Sequence, residues 1–528
     1  MPSIDANLPE ENLPQSVGLI IGAVATVLLL ASLGQTIVST ALPRIVGELG
    51  GLEHLTWVVI AYLLSSTVVA PVYGKLGDLY GRKIVLQTAI VIFLIGAGLS
   101  AAATSMTFLI IARAVQGLGG GGLMVVAMAV VADVIPPRQR GKIQGVFGAV
   151  FGVATVVGPL LGGFIVENLS WRWIFIINLP IGILALAVIA FALRSRRDRV
   201  PHKIDYFGFV LLTAALSSFV LGTSLGGTTF PWVSVQILGL IAFAAVALVM
   251  FIAVEARAAE PVLPLTLFRN NVFVVSNSVA FLVGMAMFGS ITFLPLFLQT
   301  AKGISPTSSA LQLLPMMVGL ISASMLAGLF MSRTGRYKIL PIVATAFLLG
   351  GMLLLGRMGL DTPDWQVALY MLLVGIGIGP VNSVGITAIQ NAVPRELVGV
   401  ATAGATLFRQ IGGSIGVSVF GAIFSSGLAS RLGEGSGAGG ENSSAAMNPQ
   451  LLATLPEPVR RQVLEAFASA LHPVFLTAAG AAFLAFLISL MLREIPLANT
   501  LRRDPETEIG AEQSAAAAMV GGPVAQPR

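Results

Sequence analysis

The chain has 528 residues, of which 56% are hydrophobic and 10% are charged, and its formal net charge is +6. A soluble domain carries about a quarter of charged residues, so this composition excludes an ordinary soluble protein and indicates one that lies in a membrane. The absence of Cys excludes disulfides and thiolate chemistry, and His54, His202 and His472 are too scattered for a metal site. No metal and no cofactor is therefore predicted.

Long apolar runs bounded by charges recur along the whole chain. A helical crossing of a bilayer core about 30 Å thick needs roughly 20 apolar residues. The alternating runs of about ten residues that mark a membrane barrel are absent, so each crossing is predicted to be a helix. The predicted fold class is an all-α integral membrane protein with 14 transmembrane helices. In chain order, these helices cover residues 17–39, 56–73, 84–103, 107–132, 144–166, 173–193, 206–225, 233–254, 272–298, 308–331, 339–356, 366–389, 400–426 and 473–492.

Lys and Arg are distributed unevenly over the loops. The loops that lead from an even-numbered to an odd-numbered helix, together with the C-terminal tail, hold 21 of the 30 basic residues, and the other loops hold 7. Arg113 and Arg409, inside helices, complete the total. Basic residues in short loops are retained on the cytoplasmic side, so the protein is predicted to lie in the plasma membrane with both termini cytoplasmic. Because the loops account for the positive charge, no nucleic-acid partner is predicted.

The sequence GKLGDLYGRK, at residues 74–83, has a weaker copy in GLFMSRTGRYK, at residues 328–338. In each copy two glycines lie seven residues apart and are followed by basic residues. If the seventh and eighth helices are set aside, each copy follows the second helix of a six-helix block. The pattern predicts two repeated six-helix halves separated by a two-helix insert.

The chain is accordingly divided into five segments. Within the last helical segment, residues 427–472 are predicted to form an extracytoplasmic loop with a short helix on the membrane surface, because Val459, Val463, Phe467 and Leu471 share one helical face. The five segments are a cytoplasmic N-terminal tail (1–16), an N-terminal half (17–193), an insert with basic linkers (194–271), a C-terminal half (272–492) and a cytoplasmic C-terminal tail (493–528).

The first copy of the repeated motif combines small and charged residues. Its glycines allow two helix ends to approach closely, and Asp78 can accept hydrogen bonds from the N-terminus of a neighbouring helix or from Arg82. Such bonds are available only while the two halves are closed on that side. The motif therefore predicts a cytoplasmic gate, and the alternative is a charged cluster that only sets the topology. The gate residues are Gly74, Asp78, Gly81, Arg82 and Lys83.

Two ionisable residues, Arg113 and Arg409, lie at membrane depth, one in each half. Charged groups there are expensive to bury and are usually functional, so both are predicted to serve conformational change or coupling. The alternative for Arg113 is a structural arginine bonded to carbonyls. Gly158 and Pro159, in a stripe of small residues along the fifth helix, are predicted to permit bending. The alternative for this stripe is a packing seam.

Uncharged polar residues near the arginines are candidates for a substrate cavity. A dinucleotide-binding pattern and a hydrolase pattern also occur, but both lie inside predicted spanning helices. The G-x-G-x-x-G pattern at 117–122 follows no strand, and the G-x-S-x-G pattern around Ser414 has no buried His or Asp beside it. The protein is therefore predicted not to be an enzyme. The cavity candidates are Gln35, Gln116, Asn277 and Asn382.

GKLGDLYGRK resembles the loop motif G-x-L-a-D-r-x-G-r-k of the major facilitator superfamily. LIIARAVQGLGGG, at 109–121, is similar to the family's fourth-helix motif, and GVFGAVFGVATVVGPLLGG, at 145–163, resembles its antiporter motif, with Ala154 where Gly is usual. The blocks TIVSTALP, WRWIFIINLP, FLQTAKGISPTSSALQLLP and TLFRQIGGSIG resemble the fourteen-helix drug:proton antiporter branch. The resemblance covers nearly the whole chain. It implies the major facilitator fold and a loop motif that stabilises the cytoplasm-closed state.

The resemblance further implies multidrug efflux, in which a monomer in the lipid bilayer exchanges small amphipathic substrates for protons by alternating access. One departure concerns the first helix, where the family commonly has an acid before the TIV block and this chain has Gly34. Proton coupling thus loses its usual candidate, and the two arginines favour neutral or anionic substrates over cations. Two alternatives stay open: a dedicated exporter or uniporter of one neutral or anionic metabolite, and a membrane sensor built on a transporter scaffold.

Overall fold

The computed structural model describes residues 15–50, 54–193, 205–227, 229–258, 260–304, 306–433 and 456–497. Within these ranges the chain is helical, and the β interaction that occurs is an isolated bridge between Gly226 and Phe230. The all-α fold class is confirmed for the described chain. Most of both predicted tails and the Gly/Ser-rich part of the predicted loop lie outside the described residues.

The helices of the N-terminal part range from 4 to 32 residues in length. They are α1 (Gln15–Thr36), α2 (Val38–Leu49), α3 (Leu55–Tyr80), α4 (Arg82–Ala101), α5 (Met106–Val134), α6 (Pro137–Asn168), α7 (Trp173–Ile176) and α8 (Asn178–Ala192). Single residues with helical backbone angles, Ile37 and Ile177, separate α1 from α2 and α7 from α8. Each pair is therefore nearly one continuous element.

The C-terminal part contains short 3₁₀ helices at Leu265–Arg269 and Arg395–Leu397 and a π-helical turn at Phe297–Ala301. Its α-helices are α9 (Tyr206–Leu225), α10 (Val235–Glu255), α11 (Asn271–Leu296), α12 (Pro306–Gln312), α13 (Leu314–Thr334), α14 (Ile339–Leu355), α15 (Asp364–Ala392), α16 (Val398–Gly433) and α17 (Glu457–Leu490).

Polar side chains cap the beginning of several helices. Ser105, Asp205 and Ser234 accept hydrogen bonds from backbone N–H groups three residues further on, at the start of α5, α9 and α10. Asn270 caps α11 in the same way. These caps satisfy N–H groups that have no partner within the helix, so they place the start of each apolar run.

In both copies of the repeated motif, the helix ends at a glycine with positive φ. Gly81 follows α3 with φ +91°, and Gly335 follows α13 with φ +70°. A positive φ strains residues that carry a Cβ, so both positions favour glycine. The seven-residue spacing in the sequence thus corresponds to equivalent helix ends.

Twelve helical segments of the described chain are long and apolar enough to cross a membrane. Two of the predicted crossings, 144–166 and 339–356, correspond to α6 and α14, which are not among these twelve. α14 has 17 residues, and α6 has 32 residues with no charge between Lys142 and Glu167. The protein is therefore a multi-pass membrane protein.

Buried apolar side chains form two main clusters. The first cluster is built by α1, α3, α4, α5, α6 and α8, and the second by α11 and α13 to α17. α6 of the first cluster packs along α13 and α15 of the second, and α3 packs against α16. A cavity and a set of hydrogen bonds lie where the two clusters meet.

α9 and α10 pack mainly on each other. α9 also contacts α3 and α16, and Thr223 Oγ1 lies 2.7 Å from Ser414 Oγ on α16. α10 turns large apolar side chains outward; Val249, for example, is 67% exposed. Such an apolar surface suits contact with lipid tails. The backbone of the helix needs no partner there, because its polar groups bond to each other within the helix.

The last helix differs from its prediction. The segment expected as a separate surface helix is the first part of α17, which runs without a break from Glu457 through Pro473 to Leu490. Phe467 and Leu471, on its apolar face, are buried, and the Phe467 ring lies 5.1 Å from that of Phe424 on α16. The apolar face was predicted correctly. However, α16 packs against it, whereas the prediction placed it on the membrane surface.

Candidate functional site

A central cavity of about 70 Å³ lies between the two clusters. α1, α5 and α6 line one side, and α11, α13, α15 and α16 line the other. The walls are mainly apolar, which together with a few convergent polar groups is typical of small-molecule sites. The polar residues in the lining are Ser32, Gln144, Ser324, Asn382, Ser383, Thr406 and Arg409.

Arg409 is the one charged residue among those that line the central cavity. A Cβ added at Gly284 would lie 2.4 Å from the Arg409 carbonyl oxygen, so close contact between α11 and α16 holds this part of the main chain. Asn382, predicted from sequence as a cavity residue, lines the same space. The structure therefore brings two of the predicted site residues together.

A second cavity, of about 20 Å³, adjoins the first. Gln35, Tyr62 and Gln410 contribute to its lining, and Thr406 lines both cavities. The Gln410 Oε1 atom is buried and has no hydrogen-bond partner among the described residues. Gln35, predicted as a cavity residue, thus lies next to the central cavity and not in it.

Arg113 is fully buried in the first cluster. Its Nε donates to the Val58 carbonyl at 3.3 Å, its Nη1 to Gln116 Oε1 at 2.6 Å, and its Nη2 to the Gly34 carbonyl at 3.0 Å. The guanidinium carbon also lies 4.3 Å from the centre of the Tyr62 ring. These contacts join α1, α3 and α5, as in the alternative of a structural arginine.

Two predicted cavity residues lie elsewhere. Gln116 is fully buried, and its Oε1 atom accepts from Arg113 and not from the central cavity. Asn277 donates through Nδ2 to the Phe273 carbonyl within α11. Neither residue lines the central cavity, because each polar side chain turns to a backbone or side-chain partner close in sequence.

Asp78 connects the two clusters at one end of the bundle. Its Oδ1 accepts from the Gly399 N–H at 3.0 Å and its Oδ2 from the Val400 N–H at 2.9 Å, at the start of α16. Arg82 Nη2 lies 2.5 Å from Asp78 Oδ1. A Cβ at Gly74 would lie 2.8 Å from the Gly399 carbonyl, so the two helices can approach this closely because Gly74 has no side chain. We call Gly74, Asp78, Arg82, Gly399 and Val400 the latch.

Both donors that the sequence suggested for Asp78, a helix N-terminus and Arg82, are therefore present. Arg82 is also held by Asp133, at 3.3 Å from its Nε. Lys83 lies outside the latch, in contrast to its prediction as a gate residue. Its Nζ donates to the Ala190 carbonyl at 2.6 Å, at the end of α8 in the same cluster. The long Lys side chain reaches an unsatisfied helix end in preference to the charged motif.

The second copy of the motif also joins the two clusters, but its partner is a positively charged side chain and not the N-terminus of a helix. Ser332 stands at the position equivalent to Asp78. Arg138, at the start of α6, donates to the Ser332 carbonyl at 2.8 Å and to the Arg333 carbonyl. Carbonyls at a helix C-terminus carry partial negative charge, so a guanidinium group is a favourable partner.

The small-residue stripe of α6 packs against α13. A Cβ at Gly328 would lie 2.3 Å from the Gly141 carbonyl, and one at Gly145 would lie 3.0 Å from the Ser324 carbonyl. Further along α6, a Cβ at Gly158 would lie 2.4 Å from Thr36 Oγ1 on α1. These contacts agree with a packing seam, whereas the side chain of Pro159 lies outside the described residues.

At the opposite end of the bundle, Glu48 accepts hydrogen bonds from Trp171 Nε1 at 2.7 Å and from Arg172 Nη1. The hydrogen bond from Arg172 lowers the pKa of the Glu48 carboxyl below its usual value. This carboxylate connects α2 with the turn before α7. Its contacts thus hold together two elements of the N-terminal part and, unlike those of the latch, do not join the two clusters.

Sequence reasoning missed several of these contacts. The Gly399 and Val400 amides carry no side-chain signal, because every residue type except Pro supplies a backbone N–H. Gln144 gave a weak signal as a polar residue within the small-residue stripe. Arg138 follows the two prolines that begin α6, a position from which its side chain reaches the end of α13.

The family model described as Major Facilitator Superfamily matches residues 24–417. An uncharacterised MFS-type transporter of Mycobacterium tuberculosis (strain ATCC 25618 / H37Rv) is 44% identical over 471 residues, which cover 89% of this chain and 69% of that protein. The multidrug transporter protein MdtP of Bacillus subtilis (strain 168) is 42% identical over 407 residues, which cover 77% and 75%. The solved structure of the proton:xylose symporter XylE has a TM-score of 0.59 at 17% identity, covers 91% of this chain and 96% of that one, and shows likeness of fold alone.

Proposed function

The chain belongs to the major facilitator superfamily and is a transporter, and from this premise we propose that it exports small amphipathic compounds across the plasma membrane. The central cavity carries the proposal, because it lies between the two clusters and combines apolar walls with a few polar groups. A monomer is proposed as the working unit. The prediction of a transporter, and not an enzyme, is confirmed by the family.

We propose fourteen crossings, as in the drug:proton antiporter branch that the sequence resembles. α6 and α14 would add two crossings to the twelve apolar segments. The division of 21 against 7 basic residues supports this number, because one helix more or fewer would invert the alternation in all later loops. It also supports cytoplasmic termini.

The proposed architecture is two six-helix halves, at 17–193 and 272–492, with α9 and α10 as the insert. The two apolar clusters support this division, since each draws on one half. The equivalent positive-φ glycines at the ends of α3 and α13 support a repeat of the same helix pair. A half that is repeated in this way can rock against the other about a central site.

The latch is proposed to close the cytoplasmic side. Its hydrogen bonds join α3 to α16, and those of Arg138 join α6 to α13. Exposure of the central cavity to the cytoplasm requires both sets to break, because they span the two halves. Their hydrogen bonds therefore favour the state that is closed towards the cytoplasm, and substrate binding from that side must compensate their loss.

Proton exchange is the driving reaction that we propose. The lack of an acid among the described residues that line the central cavity favours a second candidate, a transporter that is not coupled to protons. The carbonyl of Gly34 accepts from Arg113, and a Cβ at Gly34 would lie 3.2 Å from the Phe93 ring. No Asp or Glu occurs among the residues that line the central cavity. A uniporter, or a dedicated exporter of one neutral or anionic metabolite, would need no acid there.

Transport by everted membrane vesicles distinguishes these functions. With a neutral dansyl amide as substrate, we expect uptake to be accelerated by an acidic lumen and to return to the rate without a gradient when nigericin collapses the gradient. Vesicles without the protein provide the control. Uptake at one rate, whatever the pH gradient, would contradict proton exchange and favour the uniporter, whereas the absence of uptake for neutral, anionic and cationic probes would contradict export.

Single cysteines test the proposed topology, because the native chain has none. Lys142 and Asn168 flank the uncharged part of α6, Arg336 and Asp361 flank α14, and all four are exposed. We expect Cys at 142 and 336 to react only with membrane-permeable maleimides in whole cells. Cys at 168 and 361 should react with impermeable reagents as well. The same accessibility on both sides of α6 or α14 would contradict fourteen crossings.

A further inference from the structure

The two arginines at membrane depth differ in their surroundings. Arg113 uses its guanidinium group for three hydrogen bonds within the first cluster. Arg409 lines the central cavity, and its guanidinium group makes no hydrogen bond or ion pair with the described residues. A guanidinium group carries five N–H donors and no acceptor. The donors of Arg409 are therefore available to whatever occupies the cavity.

An uncompensated charge in this location is unfavourable. Arg409, on α16, shares the cavity lining with residues of α11 and α15, among them the apolar Met287 and Ile386. Desolvation of a charge without a partner is costly, so a group of opposite charge gains strongly from binding there. The lining contains no Asp or Glu that could supply this negative charge from the described chain.

Two amide side chains add further donors to the same cavity. Gln144, on α6, is 3% exposed, and its Nε2 has no acceptor among the described residues. Asn382, on α15, lines the cavity, and its side chain likewise makes no hydrogen bond within the part of the chain that the structure describes. The three donors come from three helices and from both clusters, so a ligand that accepts from all of them would contact both halves.

Carboxylates match this arrangement of donors. A carboxylate offers two oxygens that accept about four hydrogen bonds and pair with a guanidinium group in a bidentate geometry. The walls formed by Met124, Met128, Phe147 and Leu320 would contact an apolar body. Resting on the proposed export function, we propose that the protein selects amphipathic monoanions and that Arg409 binds their carboxylate in the central cavity, assisted by Gln144 and Asn382.

Binding of matched probes to the purified full-length protein in nanodiscs tests this selection. Dansylglycine carries a carboxylate, and dansylglycinamide has the same fluorophore without the charge. We expect the native protein to bind dansylglycine about tenfold or more tightly than the amide, because hydrogen bonds to charged groups are the stronger ones. Equal affinity for the two probes in the native protein, or preference for the amide, would overturn the proposal without any variant.

Variants assign the preference to one side chain. Arg409→Gln should weaken dansylglycine binding about tenfold or more and leave the amide nearly unchanged, whereas Arg409→Lys should retain part of the preference, because it keeps the charge but not the bidentate geometry. Arg357→Gln removes an exposed arginine and serves as the control. If Arg409→Gln does not fold, the Lys variant and the native comparison decide. A preference that persists in Arg409→Gln would contradict the role of Arg409.

Failure of this inference can be told apart from failure of the proposed function. Transport of the neutral amide, or of a trimethylammonium analogue, at the same rate as dansylglycine would leave the export function intact and overturn the selection of anions. Absence of transport for all three probes would contradict export by this protein, while a tenfold preference in binding would still support an anion site at Arg409.

Discussion

Replacement of Asp78 by Asn should lower the transport rate about tenfold or more while the protein stays folded and inserted. The side chain of Asp78 is 2% exposed, and its two oxygens accept from the Gly399 and Val400 amides as well as from Arg82. In Asn, one oxygen becomes an NH₂ group that faces an N–H donor, and the negative charge next to Arg82 is lost. A loss of about 1–3 kcal/mol from such bonds shifts a two-state equilibrium by a factor of about 5 to 150.

The transport rate should be measured together with the amount of protein in the membrane. Asp361→Asn is the matched control, because Asp361 is an exposed acid in the turn after α14 and makes none of the hydrogen bonds of the latch. We expect this control to transport at the native rate. Native rates in Asp78→Asn, at normal expression, would mean that the motif sets only the topology of the chain.

Replacement of Arg113 by Met should strongly destabilise the protein. Met has a similar length but no donors, so the Val58 and Gly34 carbonyls and Gln116 Oε1 lose their partner inside the first cluster. The buried Gln116 Oε1 atom is then left without its donor, which costs about 1–3 kcal/mol, whereas the Val58 carbonyl keeps its hydrogen bond within α3. We expect a clear decrease in the midpoint of thermal unfolding, measured on the purified protein in detergent, and a lower yield of folded protein.

The equivalent replacement of Arg409 makes this prediction specific. Arg409→Met removes a guanidinium group that has no partner among the described residues, and it relieves an uncompensated charge in the cavity. We therefore expect the midpoint of unfolding to stay the same or to rise. Equal destabilisation by both replacements would show that the two arginines have similar structural roles, against the difference in their contacts.

The predicted helices agree well with the structure because their signal is local. A run of about 20 apolar residues can satisfy its backbone only as a helix in a membrane. Caps such as Ser105 and Asp205 then determine where the run begins. α17 shows the limit of this reasoning. Its apolar face at Phe467 was recognised, but sequence does not reveal whether a neighbouring helix or the membrane surface covers that face.

The candidate site could be predicted only in part. Asp78 and its partner Arg82 lie four residues apart, and the glycine spacing around them identified the motif. Lys83 belongs to the same motif, yet its side chain binds the carbonyl of Ala190, 107 residues further along the chain. Asn382 lines the central cavity as predicted, whereas Gln116 is used by Arg113. Polar residue type alone does not distinguish these cases.

The sequence by itself determined the membrane helices, the repeated motif with its glycines and the presence of two arginines at membrane depth, because each depends on residues that are near one another in the chain. Only the tertiary structure decided what the arginines do. Arg113 binds carbonyls that are 55 and 79 residues away in sequence, whereas Arg409 lies in the cavity between the two clusters. The cost of a buried charge depends on which donors and acceptors packing brings within reach, and packing joins groups that are distant in the chain.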